Sequence, residues 1–204
     1  MTTDTKPPKT ITREQWLQHA VAVIRAETMR RDSDIVIPPV QVSCSWPGGG
    51  DSQKRIGECW STLASKAGIN EIFISPKIED SAKVISILAH ELVHAVDNCT
   101  HGHKAAFVRF AQRMGLEGKP TTMGLRVEIL DKLTERMLAK HGTFPHQTLD
   151  KTKSPVKKQT TRMLKCACDN CGAIWRMSQS AIAMVDGNMS CPACHTKEGV
   201  AISN

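Results

Sequence analysis

The sequence predicts an α+β fold in two parts. A compact domain spans residues 10–140, a basic linker spans 141–161, and a small four-cysteine module spans 162–204. Three observations lead there. Through the first 140 residues, stretches with apolar residues at helical period alternate with short strand-like runs. Apolar periodicity is then lost over 141–161, which contains Pro145, Pro155 and several lysines. Two C-x-x-C pairs follow at metal-site spacing. For 204 residues, one core domain and one small appendage is the natural partition.

The elements follow in order. Thr12 opens a helix with Trp16, Ala20, Val23 and Ile24 on its apolar side. Residues 40–46 alternate as a strand. Residues 47–51 form a glycine-rich turn that lacks the lysine and spacing of a phosphate-binding loop. Further strand-like runs cover 57–63 and 69–75. A second helix has Asp80 or Ser81 as N-cap and Gly102 just past its end. Its residues Ile85, Leu88, Ala89, Leu92, Val93 and Val96 make an apolar stripe, and His90, His94 and Asp97 fall on another face. Helices over 103–114 and 123–140 complete the domain, and no internal repeat is found.

The second helix carries His90-Glu91-Leu92-Val93-His94. Histidines four apart on a helix project together and can hold one zinc ion, with the intervening glutamate beside the open coordination position. In a chain of this composition the pattern arises by chance only about 0.015 times. A core histidine would lie within the apolar stripe, and these do not. The chemistry indicated is that of a zinc hydrolase. Zinc-activated water attacks a carbonyl, with Glu91 as general base.

A catalytic zinc takes three protein ligands and keeps one position for water. A third histidine at the elongated metzincin spacing would fall on Thr100, so that pattern fails. Downstream, His101 and His103 are both candidates. The stretch from His90 to Phe107 resembles the SprT-like metallopeptidases, relatives of Spartan. Their third ligand is a histidine shortly after a glycine, with an aromatic residue four positions later. His103, with Gly102 before it and Phe107 after it, matches; His101 does not. The family usually has glycine after this ligand, where this chain has Lys104. Gly57-Glu58-Cys59-Trp60-Ser61, Glu71-Ile72-Phe73-Ile74-Ser75-Pro76 and Gly115-Leu116-Glu117-Gly118-Lys119-Pro120-Thr121 are similar to the order of segments in compact members. The resemblance covers roughly residues 40–125 and the C-terminal module. It implies a compact SprT-like zincin domain, with the His-Glu helix packed on a small β-sheet, acting as a peptidase on protein substrates. It further implies action on nucleic-acid-associated or DNA-crosslinked proteins.

In the second module, Cys168 and Cys171 form one C-x-x-C pair and Cys191 and Cys194 the other. The gap between them falls in the range of four-cysteine zinc sites, so a closed, structural zinc ribbon is expected. The chain therefore calls for two zinc ions, one catalytic and one structural. So short a module needs its metal in order to fold. Cys166 fits only by breaking the pair spacing, and His195 is a weaker substitute for Cys194. Cys44, Cys59, Cys99 and Cys166 are read as reduced thiols.

Composition sets further limits. No tyrosine is present, so His101, Arg109, a backbone N–H or the zinc must stabilise the oxyanion. No apolar run approaches the ~20 residues needed to span a membrane, and residues 1–12 carry no signal-peptide core. A cytoplasmic, nucleoid or nuclear protein is expected, rather than a secreted one. Residues 151–204 hold eight Lys/Arg against three acids, a net of +5, while the first 150 carry +2. Lys151, Lys153, Lys157, Lys158, Arg162 and Lys165 form a basic approach to the ribbon that suits single- or double-stranded DNA. Trp175 and Arg176 are candidates for stacking on bases. Two other readings stay open. One is a non-catalytic zinc protein binding nucleic acid or transcription complexes. The other is a deformylase-like hydrolase with Cys59 as third ligand, although that reading leaves His103 unused.

Overall fold

The computed structural model describes residues 11–48, 55–150, 153, 163–185 and 188–203. The chain divides into two compact units, Met1–Lys151 and Thr152–Asn204, and is mixed α+β. Among the described residues no helix is long and apolar enough to cross a membrane.

In the first unit, α1 (Arg13–Arg31) starts from a capping box. Thr12 Oγ1 accepts from Gln15 N–H, and the Gln15 side chain accepts from Thr12 N–H. Its inward face buries Trp16, Leu17, Ala20, Val21 and Ile24. Three strands follow: β1 (Val40–Cys44), β2 (Gly57–Trp60) and β3 (Asn70–Ile74). They form one sheet in the order β1-β3-β2, with β1 parallel and β2 antiparallel to the central strand. The run expected as strand over 57–63 pairs only as far as Trp60, because the chain turns at Ser61, whose carbonyl accepts from Ala64 N–H.

Helix α2 (Ser81–Val96) begins at Asp80, whose carboxylate accepts from Lys83 N–H at 2.7 Å. It packs against α1, α3, α4 and the sheet. Because it is surrounded, it buries more than its apolar stripe: His90 and Glu91 are buried too. Helix α3 (Ala105–Met114) ends at Gly115, which is left-handed at φ 93° and donates back to the Ala111 and Gln112 carbonyls. A short hairpin pairs β4 (Leu116–Glu117) with β5 (Gly124–Leu125) around a 3₁₀ turn, Pro120–Thr122. The helix expected over 123–140 is α4 (Val127–His141). It starts later because Gly124 and Leu125 are held in the hairpin.

The linker expected over 141–161 needs correction in its first half. Phe144 is buried, with its ring 5.2 Å from that of Trp16, and its N–H donates to Ser81 Oγ at 2.9 Å. Trp16 Nε1–H donates to the Gly142 carbonyl at 3.0 Å. Leu149 N–H donates to Pro76 O, and Thr148 N–H to Glu79. Residues 142–149 are thus a strap on the first unit. Lys151, Lys157, Lys158 and Arg162 lie outside the described residues.

The second unit is a three-stranded antiparallel sheet in the order β7-β6-β8. Its strands are β6 (Met163–Cys168), β7 (Ile174–Ser178) and β8 (Val200–Ser203). A short helix, α5 (Gln179–Met184), is capped by Ser178. Its only buried apolar residues, among those described, are Cys166, Cys168 and Cys191.

Candidate metal centres

His90 and His94 stand one turn apart on α2, and His103 meets them from the turn ahead of α3. The three Nε2 atoms converge: His103 Nε2 lies 3.1 Å from that of His90 and 3.2 Å from that of His94. Tetrahedral metal–nitrogen bonds of ~2.0–2.1 Å would place such atoms about 3.3–3.4 Å apart. The protonation pattern fits as well. His90 Nδ1 is 3.0 Å from the Met123 carbonyl, which can only accept, so Nδ1 carries the proton and Nε2 keeps its lone pair. Burial holds all three imidazoles below the ordinary histidine range. The neighbouring rings add to this at His94, which falls to about 3. Three imidazoles held toward the neutral form, with their Nε2 atoms this close, form a group that could hold a metal ion.

Local sequence explains the geometry. Gly102 is left-handed at φ 52° with nothing near its absent side chain, so conformation rather than space favours glycine. Lys104 is extended at φ −79° and ψ −176°, a backbone any residue adopts, and it caps α3. Phe107 is fully buried beneath the site, its ring centre 5.0, 4.4 and 5.0 Å from those of His90, His94 and His103. One aromatic side chain thus floors the whole trio.

Glu91 lies beside them, buried, with its carboxyl pushed up to about 8 by burial and, to a lesser degree, by Cys99 and Glu58; Arg55 opposes the shift. It borders two hollows. One, of about 340 Å³, is shared with the three histidines, Arg55, Glu58, Cys59 and Cys99. The other, about 240 Å³, is lined by Ile56, Ile87 and Met123. A larger hollow of about 610 Å³ runs along α1 and β1, away from any convergent donor group. Gly57 lets β2 approach Glu91 closely: a Cβ there would fall 2.5 Å from Glu91 Oε1 and 2.7 Å from Ile87 Cγ2.

Of the side chains expected to serve an oxyanion, His101 is exposed and sits 3.3 Å from Asp97, and Arg109 is exposed on α3. Neither is among the residues that line the histidine hollow, whereas Arg55 is, held by Glu58. Cys59 lines the same hollow but is not part of the converging donor group. Residue spacing points to neither Arg55 nor the Met123 carbonyl. The carbonyl belongs to the backbone, and Arg55 precedes β2 with no motif around it.

In the second unit the sulfurs of Cys168, Cys171, Cys191 and Cys194 lie within 4.8 Å of one another. Cys168 to Cys194 is 3.7 Å and Cys171 to Cys191 is 3.5 Å. Four sulfurs at ~2.3 Å around a tetrahedral ion would be about 3.8 Å apart. Ala193 N–H donates to Cys191 Sγ and Asn170 Nδ2 to Cys194 Sγ. The Thr196 N–H, followed by Asn170, holds the Cys194 thiol down to about 6, favouring thiolate. Cys166 is buried outside this group, and His195 is exposed, with a left-handed backbone at φ 59°. Strand register places Trp175 opposite Cys166 and Arg176 opposite Lys165. Neighbouring strand residues face opposite ways, so Trp175 and Arg176 cannot form one stacking platform.

Comparison with protein-family models, with curated proteins and with solved structures finds no match to this chain.

Proposed function

We propose that this chain is a zinc-dependent metallopeptidase of the SprT-like kind, followed by a zinc ribbon, and that it acts on protein substrates associated with or crosslinked to nucleic acid. One observation carries the reading: three neutral imidazole nitrogens converge beside a buried carboxyl that is not one of the donors. His90, His94 and His103 would hold the catalytic zinc, and the four cysteines a structural one. When bound, the catalytic zinc supplies a Lewis acid for the peptide carbonyl and makes water acidic enough to attack near neutral pH.

Glu91 then handles the protons. It takes one from the attacking water and returns it to the leaving amine nitrogen. A carboxyl raised toward neutrality by burial suits both transfers. Phe107 and the Met123 carbonyl fix the imidazoles so that little reorganisation is needed. In the second unit, Lys165 and Arg176 are register partners on one sheet face. Arg176 also donates to the Met163 carbonyl, and two cations on one face are a feature a phosphate backbone could use, which supports a nucleic-acid partner.

The decisive test compares wild type with Glu91→Gln on protein substrates, with and without single-stranded DNA. The variant should keep its metal and lose hydrolysis by about 10²–10⁴-fold. Removing residues 151–204 should weaken salt-sensitive DNA binding, and should slow cleavage of DNA-bound protein more than cleavage of a free peptide. Equal activity in the two proteins would sink the peptidase reading. No activity in either would leave a non-catalytic zinc protein that binds nucleic acid.

A further inference from the structure

Two thiols sit in the wall of the histidine hollow, and the proposed hydrolysis uses neither. Cys59 belongs to β2. Cys99 follows α2 in a turn where two consecutive non-glycine residues, Asn98 (φ 52°) and Cys99 (φ 60°), are left-handed. That backbone is disfavoured for residues with a Cβ and persists only when its surroundings hold it. Here Asn98 does the holding. Its Oδ1 accepts from Thr62 N–H at 2.8 Å and from Asn70 Nδ2 at 3.1 Å, and its Nδ2 donates to Thr62 Oγ1 at 3.0 Å. The Cys99 N–H is tied to the His94 carbonyl at 2.8 Å. The turn is thereby pinned to the β2–β3 connection and delivers Cys99 Sγ to within 3.3 Å of the Cys59 carbonyl oxygen.

The two thiols share their surroundings on both sides. They line the 340 Å³ hollow with the histidines, and a neighbouring one of about 410 Å³ with Glu58, Trp60 and Leu63. Both are half-exposed, so a small oxidant in either hollow can reach them. Cys166, by contrast, is buried. Cys44 is half-exposed like the pair, yet it sits beside Arg13 and Glu14 rather than a second thiol. An isolated thiol and a matched pair therefore occur in one unit, at similar exposure.

We propose that Cys59 and Cys99 form a reversible disulfide, a redox modification site in the wall of the histidine hollow, with a peroxide as oxidant. One thiol is oxidised to sulfenic acid as the peroxide O–O bond breaks and a water leaves. The second sulfur attacks the first, so the S–S bond forms as the S–O bond breaks. The departing hydroxide leaves as a second water with the remaining thiol proton. Two electrons pass from the sulfur pair to one peroxide, and a dithiol reductant returns them. The link would staple the turn after α2 to edge strand β2, next to Glu91.

The experiment treats full-length, metal-loaded protein with graded hydrogen peroxide, alkylates the remaining thiols under denaturing conditions, and maps the peptides by mass. A peptide joining Cys59 to Cys99 is expected, two hydrogens lighter than its parts and released by dithiothreitol, at doses where Cys44 still alkylates. In Cys59→Ser, Cys99 should instead advance to the sulfinic acid, which dithiothreitol does not reverse. The proposal is overturned if Cys59 and Cys99 both still alkylate at doses that oxidise Cys44. It is equally overturned if Cys99 is found joined mainly to another cysteine or to a second chain. The readout is a mass, so it stands or falls independently of any hydrolytic activity.

Discussion

The three histidines stand on and beside a helix buried by Val84, Leu88 and Leu92, whereas the four cysteines stand in a unit whose only described buried apolar residues are themselves cysteines. In the first unit the core exists without a metal, and the donors are presented by an architecture already assembled. In the second, the donor group occupies the place of a core. Three donors beside a hollow and a carboxyl leave room for a reacting molecule. Four donors fill the positions of a tetrahedral ion and leave none. Donor number and what surrounds the donors are what the proposed reading uses to separate a site for chemistry from one for folding.

The largest effect that could break this contrast is metal removal. A strong chelator should unfold residues 163–203, since structural zinc contributes about 10–16 kcal/mol in comparable small modules, while α1–α4 stay folded. Hydrogen exchange resolved by peptide measures this directly. Concerted loss of protection in both units would show that the first also depends on its metal.

Next comes Phe107→Ala. Loss of a buried phenylalanine costs about 3–5 kcal/mol, read as a lower denaturant midpoint. Because Phe107 touches all three imidazole rings, metal affinity of the first unit should fall with it. The second unit's metal should be untouched. Unchanged affinity would mean that α2 and the turn ahead of α3 orient the histidines without the ring.

Gly57→Ala should act more narrowly. The new methyl group meets Glu91 and Ile87, a crowding worth about 1–3 kcal/mol. Hydrolysis should suffer more than stability, with metal content preserved. A variant as active as wild type would mean that the Glu91 carboxylate relocates without consequence.

The smallest effect lies away from both clusters. Glu27 is buried against Arg30 and Lys132, and their hydrogen bonds, Arg30's first, lower its carboxyl to about 2. Its contribution is complete above the ordinary value of 4.5 and is lost as pH falls toward 2. Discounted for the exposure of both partners, it is worth about 1–2 kcal/mol. Glu27→Gln should flatten the acid limb of the first unit's stability between those values. Denaturant titrations at several pH values, run on metal-free protein, provide the check.

Much of this was legible in residue order, for identifiable reasons. A period of 3.6 residues separated the faces of α2, and spacing alone put two histidines on one side of it. Gly102-His103-x-x-x-Phe107 named the third donor through the family it resembles, and Phe107 beneath the rings gives that spacing a physical purpose. Other features left no such trace. The Met123 carbonyl that orients His90 is a backbone group, present at every position. The close approach at Gly57 depends on what packs opposite, which no local pattern records. The burial of Phe144 left no trace either, because a single aromatic residue among prolines and polar residues has no period.

That strap has a practical consequence for dissecting the protein. A fragment ended at residue 140 would retain every proposed zinc ligand of the first unit, yet it would strip the Phe144 ring from Trp16 and remove the carbonyl that accepts the indole N–H. The indole would then face water, and its fluorescence should move to longer wavelength. A fragment that keeps these contacts therefore runs to residue 150. Weaker metal binding or activity on cutting at 140 would report a damaged helix α1, some distance in sequence from the proposed metal site, rather than a missing functional segment.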